Sequence, residues 1–175
     1  VLQARLMPLE SITGRLPRIV RDLSRKTDKK VTLQLTGAEV GIDRVVLEEL
    51  TDPLVHLVRN AIDHGIEQEG IVIVSARREK DLVLVEVADD GKGMGPGDAE
   101  ACFGRHATSK LRGTDDLLSL ATMGFRGEAL ASIASIARVE LRTRRADDAE
   151  GVEVVMEGGE CQSKEPVVCD LGTRM

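Results

Sequence analysis

Two short stretches of this chain carry side chains that could bind a nucleotide. The first is Asn60, in the helical run from His56 to His64, and the second is Asp89-Asp90-Gly91-Lys92-Gly93, directly after an alternating strand. An asparagine amide can bind a magnesium–phosphate cluster, whereas an aspartate at a strand end can accept the amino group of adenine. The two glycines leave room for a flat ring. Since no Walker-type phosphate loop occurs, the sequence predicts a nucleotide site of another kind.

A polar stripe runs along the predicted helix around Asn60. His56, Asn60 and His64 follow at i, i+4 and i+8 and therefore share one helix face, with Asp63 beside it. A solvated surface is the alternative explanation for such a stripe. Solvated faces usually carry Lys and Glu, however, while His and Asn are short, directional hydrogen-bonding groups. The composition favours a binding face.

Two later segments have compositions suited to phosphate. The first, 105–110, places two hydroxyls and an ammonium in consecutive positions: Thr108, Ser109 and Lys110. The second is a glycine-rich turn before a helix, where free backbone N–H groups and the helix dipole attract anions: Gly124, Phe125, Arg126 and Gly127. Each segment alone could be an ordinary polar loop, but all four features in this order predict a nucleotide site.

The elements that position these residues follow from hydrophobic periodicity and turn signals. Helices are predicted at 10–27 with an interruption or restart at Pro17, from the Asp43 cap to His64 with a division or kink at Pro53, near 98–104, near 115–120, and at 126–136. Strands are predicted at 31–35, 70–77, 82–87, 139–143 and 152–156, with an edge strand at 166–171. This order predicts an α+β, two-layer α/β sandwich, in which helices cover one face of a mixed, mostly antiparallel sheet.

Composition narrows the possible partners. The 175 residues suit a single domain, and the net charge of −6 argues against a general polyanion binder. Phe103 and Phe125 are the only aromatic residues, so the stacking platforms of single-strand nucleic-acid binders are missing. A basic strip of four arginines, at 138, 142, 144 and 145, is interpreted as solvated surface, and nucleic-acid binding is not expected.

The remaining sequence features concern location and completeness. No apolar run is long enough to span a membrane and no signal pattern is found, which predicts a cytoplasmic protein with no membrane partner. Three cysteines without metal-ligand spacing fit a reduced compartment. The chain begins without methionine and stops just after Gly172-Thr173, so we expect an excised or engineered domain. The sequence leaves the oligomeric state open.

With these residues in view, the chain resembles the ATPase/kinase superfamily of DNA gyrase, heat-shock chaperone, histidine kinases and MutL, whose architecture is called the Bergerat fold. The phrases at 16–23 and 52–67 are similar to the catalytic domain of CheA histidine kinases, and those at 105–110 and 124–133 to the MutL ATPase domain. We therefore expect one nucleotide-binding domain, with a histidine-kinase-like part at 1–93 and a MutL-like part at 94–175. This pattern indicates a chimera joined within Asp89–Met94.

The resemblance implies a role for each candidate residue, with ATP or ADP and Mg²⁺ as ligands. It implies that Asn60 coordinates Mg²⁺, that Asp89 accepts the adenine amino group, and that Thr173 completes the adenine contact through water. The other residues expected to contact the nucleotide are Asp63, His64, Gly91, Gly93, Met94, Thr108, Ser109, Lys110, Gly124, Phe125, Arg126 and Gly127.

One departure from the MutL pattern concerns the chemistry. MutL-type hydrolysis uses a glutamate four residues before the magnesium asparagine, but here that position is His56, as in the kinase. A histidine can serve as a base, although in the kinase it acts in phosphotransfer to a phosphoacceptor domain that is absent here. We expect nucleotide binding with weak or no turnover. The alternatives are an active ATPase or histidine-kinase-type phosphotransferase, and a scaffold without nucleotide affinity.

Overall fold

The computed structural model describes residues 5–103 and 126–175, with side chains described from 130 onward in the second range. The helices are α1 (Glu10–Thr13), α2 (Leu16–Thr27), α3 (Arg44–Asn60), α4 (Pro96–Ala101) and α5 (Arg126–Ile136), and a π-helical turn, Ala61–Gly65, continues α3. The strands are β1 (Leu6–Pro8), β2 (Lys30–Thr36), β3 (Gly41–Asp43), β4 (Glu69–Glu79), β5 (Leu82–Asp89), β6 (Val139–Arg144), β7 (Gly151–Glu157), β8 (Glu160–Val167) and β9 (Gly172–Arg174).

Seven of the strands form one sheet in the order β2-β4-β5-β9-β6-β7-β8. Only the β2–β4 pair is parallel, and every other pair in this sheet is antiparallel. The short strands β1 and β3 form a separate antiparallel pair. The predicted fold class, a mixed and mostly antiparallel sheet with helices, is confirmed.

The hydrophobic core has two parts, one under each half of the sheet. The first joins α1, α2 and α3 to β2, β4 and β5, with Leu16, Leu54 and Val72 at its centre. The second joins α4 and α5 to β6 and β7, with Leu141 and Val154 fully buried. With only two phenylalanines in the chain, both parts are built almost entirely from aliphatic side chains.

The other face of the sheet carries ion pairs between neighbouring strands. Arg142 on β6 pairs with Glu153 on β7 at 2.6 Å, and Arg174 on β9 pairs with Glu86 on β5 at 3.5 Å. Because side chains alternate between the faces of a strand, these charged residues point away from the buried Leu141 and Val154. The pattern confirms that the helices cover one face.

The predicted helix starts are confirmed by their capping residues. Pro17 stands in the first turn of α2, where its missing N–H needs no partner, so it begins a new helix. Asp43 caps α3 by accepting a hydrogen bond from the Val45 amide at 2.9 Å. Of the two alternatives predicted for Pro53, a division or a kink, the division was wrong, since α3 runs through the buried proline as one helix, and the kink stays a prediction. Packing of the surrounding helix against the core outweighs the hydrogen bond that proline removes.

The predicted hairpins are confirmed, whereas the last strand was placed wrongly. Residues 166–167 end β8, which starts at Glu160 and lies at the sheet edge, and residues 168–171 are not in a strand. The final strand is β9, three residues long and located between β5 and β6. No helix among the described residues is both long and apolar enough to cross a membrane.

Candidate nucleotide-binding site

A cavity of about 1030 Å³ opens between the two parts of the core. Its walls come from the end of α3 and the π turn, the loop that follows β5, the strand β9, and the turn between β6 and β7. Seven of the predicted contact residues line it: Asn60, His64, Asp89, Gly91, Gly93, Met94 and Thr173. The described structure therefore brings the two stretches around Asn60 and Asp89 to one pocket.

Asp89 is the half-buried carboxylate of this pocket. It ends β5, where it is the strand partner of Thr173 on β9, and its Oδ1 accepts a hydrogen bond from the Gly91 amide at 2.9 Å. The pKa of Asp89 is raised to about 6. Burial is the largest cause of this rise, and the negative charge of the neighbouring Asp90 adds to it. Hydrogen bonds from the backbone of Gly91 and Thr173 oppose this rise. At neutral pH the carboxylate is mostly ionised and can accept a further hydrogen bond.

Two glycines allow the π turn and the loop after β5 to meet beside this carboxylate. A Cβ on Gly65 would lie 2.8 Å from Asp89 Oδ1, and a Cβ on Gly91 would lie 2.2 Å from the backbone carbon of Gly65. The Lys92 amide also donates to the Gly65 carbonyl at 2.9 Å. Any side chain at either position would separate the π turn from the loop after β5. The two stretches therefore meet backbone to backbone.

Asp90 also lines the pocket, but its carboxylate is bonded to the sheet. Its Oδ1 accepts a hydrogen bond from the Ile71 amide on β4 at 2.7 Å, and its side chain is exposed. The two consecutive aspartates thus make different hydrogen bonds, and the sequence alone does not distinguish them.

Thr143 holds the far wall of the pocket and was not predicted. Its fully buried Oγ1 accepts a hydrogen bond from the Met94 amide and donates to the Gly172 carbonyl, both at 2.9 Å, and lies 3.1 Å from Thr173 Oγ1. It thereby joins the loop after β5 to β6 and β9. The signal that could have found it is the alternation on β6, which points Thr143 inward with Val139 and Leu141.

A π turn directly follows Asn60. In this turn the Ile66 amide donates to the Ala61 carbonyl, five residues back, at 2.8 Å. Lys29 closes the end of the turn, since its Nζ donates to the carbonyls of Ile62 at 2.6 Å and Asp63 at 3.0 Å. Half-buried Asn60 directly precedes the turn.

Other predicted residues lie elsewhere. His56 on α3 and Asp63 in the π turn are not among the residues that line the pocket, and Asp63 contacts Lys29 through its backbone carbonyl. Arg126 and Gly127 lie in the first turn of α5, which begins where the sequence predicted a helix start. The remaining predicted phosphate contacts lie outside the described residues: Thr108, Ser109, Lys110, Gly124 and Phe125.

The turn between β6 and β7 contributes pocket residues that the sequence did not indicate, namely Arg145, Ala146 and Asp147. Arg145 is held by Asp148 through two hydrogen bonds, of 2.9 and 3.1 Å, and a Cβ on Gly95 would lie 3.0 Å from its guanidinium carbon. The turn looks like an ordinary polar connection in the sequence, and only the sheet order brings it to the pocket.

Acidic side chains outnumber basic ones on the described wall of the pocket. Six carboxylates line it, Glu67, Glu69, Asp89, Asp90, Asp98 and Asp147, against the cations Lys92 and Arg145. A polyphosphate would therefore need a metal ion, or cations from outside this wall, to balance its charge. No cluster of three or more His, Cys, Asp or Glu side chains suited to a metal exists among the described residues. Asn60 fits a magnesium ion that takes its other ligands from phosphates and water.

Comparison with known proteins identifies the class to which this fold and pocket belong. A model of the histidine kinase-, DNA gyrase B-, and HSP90-like ATPase family matches residues 46–142, more than half of the chain. The chain belongs to this family. The resemblance seen in the sequence is thereby confirmed.

Individual relatives come from two groups. The chain is 45% identical over 105 residues to the chemotaxis protein CheA of Halobacterium salinarum, covering 54% of this chain and 16% of CheA. It is 40% identical over 152 residues to the DNA mismatch repair protein MutL of Phocaeicola vulgatus, covering 87% of this chain and 23% of MutL. The chain thus spans less than a quarter of the length of either relative.

A solved structure agrees on the fold. The histidine kinase domain of the Erythrobacter litoralis EL346 blue-light activated histidine kinase matches with a TM-score of 0.51 and 14% identity, covering 96% of this chain and 62% of that one. At this identity the likeness concerns the fold alone.

Proposed function

We propose that this domain binds ATP or ADP with its adenine against Asp89 and its phosphates near Asn60. The observation that carries the proposal is the half-buried carboxylate of Asp89, which faces a cavity large enough for a nucleotide. The exocyclic amino group of adenine is a hydrogen-bond donor and the carboxylate an acceptor. Membership of an ATPase family supports the same ligand.

Calorimetric titration with Mg·ATP and Mg·ADP tests this proposal. An Asp89→Asn variant should bind about 5- to 150-fold more weakly, because its amide can turn a donor toward the adenine donor, and a buried mismatch costs about 1–3 kcal/mol. Asp81→Asn, the same change at an exposed turn position outside the pocket lining, is the matched control and should bind like the parent. The proposal fails if the parent shows no heat at millimolar nucleotide, or if both variants bind equally.

For the phosphates, we propose a magnesium ion held by Asn60. The acidic wall of the pocket supports this, because the ion would reduce repulsion between carboxylates and phosphates. When bound, the ion would neutralise phosphate charge, while Asn60 would orient it. Chelation of Mg²⁺ should weaken ATP binding by about tenfold or more and leave adenosine binding unchanged. Equal affinity for ATP with and without chelator would contradict the metal.

We further propose that turnover is weak or absent in the isolated domain. His56 occupies the sequence position where a hydrolytic base is expected, but it does not line the described pocket. The second candidate function, an active ATPase or phosphotransferase, requires His56 to act on the nucleotide. Phosphate release that falls in His56→Ala, with nucleotide affinity unchanged, would favour that alternative.

The origin of the chain is a separate proposal: a kinase-like part at 1–93 joined to a MutL-like part at 94–175. Similarity to both groups motivates it: 45% identity to a CheA over 54% of the chain and 40% identity to a MutL over 87% of it, the second match being longer than residues 94–175. Comparing the two parts separately is the test. Greater identity of residues 1–93 to MutL than to CheA would exclude this junction.

A further inference from the structure

A second cleft of about 570 Å³ lies between α2 and the edge strand β2. Its apolar lining comes from Val20 on α2 and from Val31 and Leu33 on β2. Its basic lining comes from exposed Arg21 and Arg25 on α2, exposed Lys30 on β2 and half-buried Lys29 between these elements, and Glu69 is the acidic residue that lines it. The cleft thus offers apolar surface together with positive charge.

The positive charge of the cleft comes from one segment of the chain, and most of it is not paired with carboxylates. Between positions 15 and 30 the sequence has seven Lys or Arg and two Asp, although the whole chain carries −6. The ion pair on α2 joins Arg18 to Asp22 at 3.9 Å, and none within the described ranges involves Arg21, Arg25 or Lys30. In the other basic strip, by contrast, Arg138, Arg142 and Arg145 are each paired with a carboxylate.

The outer edge of β2 is open to another strand. The Lys30 amide donates to the Gln68 carbonyl beside β4, so alternation turns the backbone groups of Val31, Leu33 and Leu35 away from β4. No described strand pairs with this edge over its seven residues. The opposite edge, β8, contains Pro166 and borders a register shift, both of which block strand addition, but β2 has no proline.

Ser24 adds an independent sign of a missing ligand. It lines the cleft from α2, and its Oγ is buried without a hydrogen-bond partner among the described atoms. Buried hydroxyls are nearly always paired in folded proteins. A rotation about its one side-chain torsion would offer this hydroxyl to a group in the cleft.

We propose that this cleft binds an extended acidic peptide of a partner protein, which adds as a strand to the outer edge of β2. The peptide backbone pairs with Val31, Leu33 and Leu35, its apolar side chains pack beside Val20, and its carboxylates pair with the basic residues. Nucleic acid could use the charge but not the strand edge or the apolar lining. A second copy of this chain would bring two basic clefts together and be repelled.

The test uses fluorescein-labelled nonapeptides and fluorescence anisotropy on the full chain without nucleotide, so its outcome is independent of the first proposal. A peptide of alternating Glu and Val should bind, whereas alternating Lys and Val, or Glu and Pro, should not. Arg21→Glu with Arg25→Glu should weaken binding about tenfold or more. Arg15→Glu with Arg18→Glu is the matched control, with the same charge change at the start of α2 outside the cleft lining, and it should have a much smaller effect.

Amide hydrogen exchange separates strand addition from simple charge attraction. On peptide binding, the amides of Val31, Leu33 and Leu35 should become protected. The proposal is overturned if these amides stay unprotected, if both double variants weaken binding equally, or if the Glu–Val peptide does not bind. It is also overturned if a short DNA duplex competes for the cleft as well as the Glu–Val peptide does.

Discussion

At the scale of single residues, the pocket depends on side chains that do not share one role even when they are neighbours. Asp89 faces the cavity while Asp90 supports β4, and Thr143 holds the opposite wall. Two of these residues, Asp89 and Thr143, are buried enough that their polar groups affect stability as well as binding. Both effects can be measured.

The raised pKa of Asp89 predicts a pH-dependent stability. Since its pKa in the folded state is about 6, above its ordinary value near 4, the folded state holds the proton more tightly. The contribution of Asp89 to the free energy of unfolding is therefore fully present below about pH 4 and is lost as the pH rises through 6. The largest loss is about 3 kcal/mol. Urea unfolding without nucleotide should show the parent losing stability relative to Asp89→Asn between pH 4 and 7. Parallel pH profiles would contradict the shift.

Thr143→Val should destabilise the fold by about 1–3 kcal/mol, because the Met94 amide and the Gly172 carbonyl would remain buried without their partner. Valine keeps the shape of threonine, so the loss isolates the hydroxyl. Thr36→Val, at an exposed position of β2, is the control and should change stability by less than about 0.5 kcal/mol. Equal unfolding temperatures of the two variants would show that the Thr143 hydroxyl has no structural role.

At the scale of elements, the site depends on how α3 ends. The π turn after Asn60 brings Gly65 beside Asp89, and Lys29, from the connection between α2 and β2, holds the last carbonyls of this turn. One side chain thus links the lining of the basic cleft with the turn that directly follows Asn60.

Lys29→Met should cost about 1–2 kcal/mol, since it removes a charged donor from two helix-end carbonyls. Nucleotide affinity should fall as well, because the π turn directly follows Asn60. Lys26→Met removes an exposed charge from the last turn of α2 and should leave both properties unchanged. Chemical denaturation and calorimetry of the two variants provide the comparison, and identical behaviour would rule out the capping role.

Local signals explain which elements the sequence could predict. Asp43 as a cap, Pro17 as a helix start and the alternation around 82–87 act within a few residues, and these predictions are confirmed. The continuity of α3 through Pro53, the central place of β9 and the pocket position of Arg145 depend on contacts between distant segments. The Asn60 and Asp89 stretches could be singled out because each lies in a short pattern, and both line one pocket, while Thr143 acts only after the sheet has formed.

At the scale of the whole molecule, the sheet consists of two halves that do not pair with each other directly. β9 lies between β5 and β6, so three residues near the end of the sequence connect β2-β4-β5 to β6-β7-β8. Gly172 makes this possible with a φ of +99°, where a Cβ would lie 2.1 Å from the Asp89 carbonyl oxygen.

Gly172→Ala should therefore disturb both halves, with a loss above about 2 kcal/mol from backbone strain and the close contact. Nucleotide binding should weaken with it, because Asp89 and Thr173 would separate. Gly97→Ala in α4 meets open space and should be neutral or stabilising by up to about 1 kcal/mol. Thermal melts and nucleotide titration measure both, and a stable Gly172→Ala variant would refute the importance of this contact.

The position of β9 also sets an order of events during synthesis. The helices and strands of the first half leave the ribosome early, and β6, β7 and β8 follow, but the strand partner of Asp89 is Thr173. The pocket wall formed by Asp89 and Thr173 can therefore close only after nearly all of these 175 residues have been translated. Until then, the inner edges of β5 and β6 remain uncovered, and a nascent chain cannot yet hold nucleotide between its two halves.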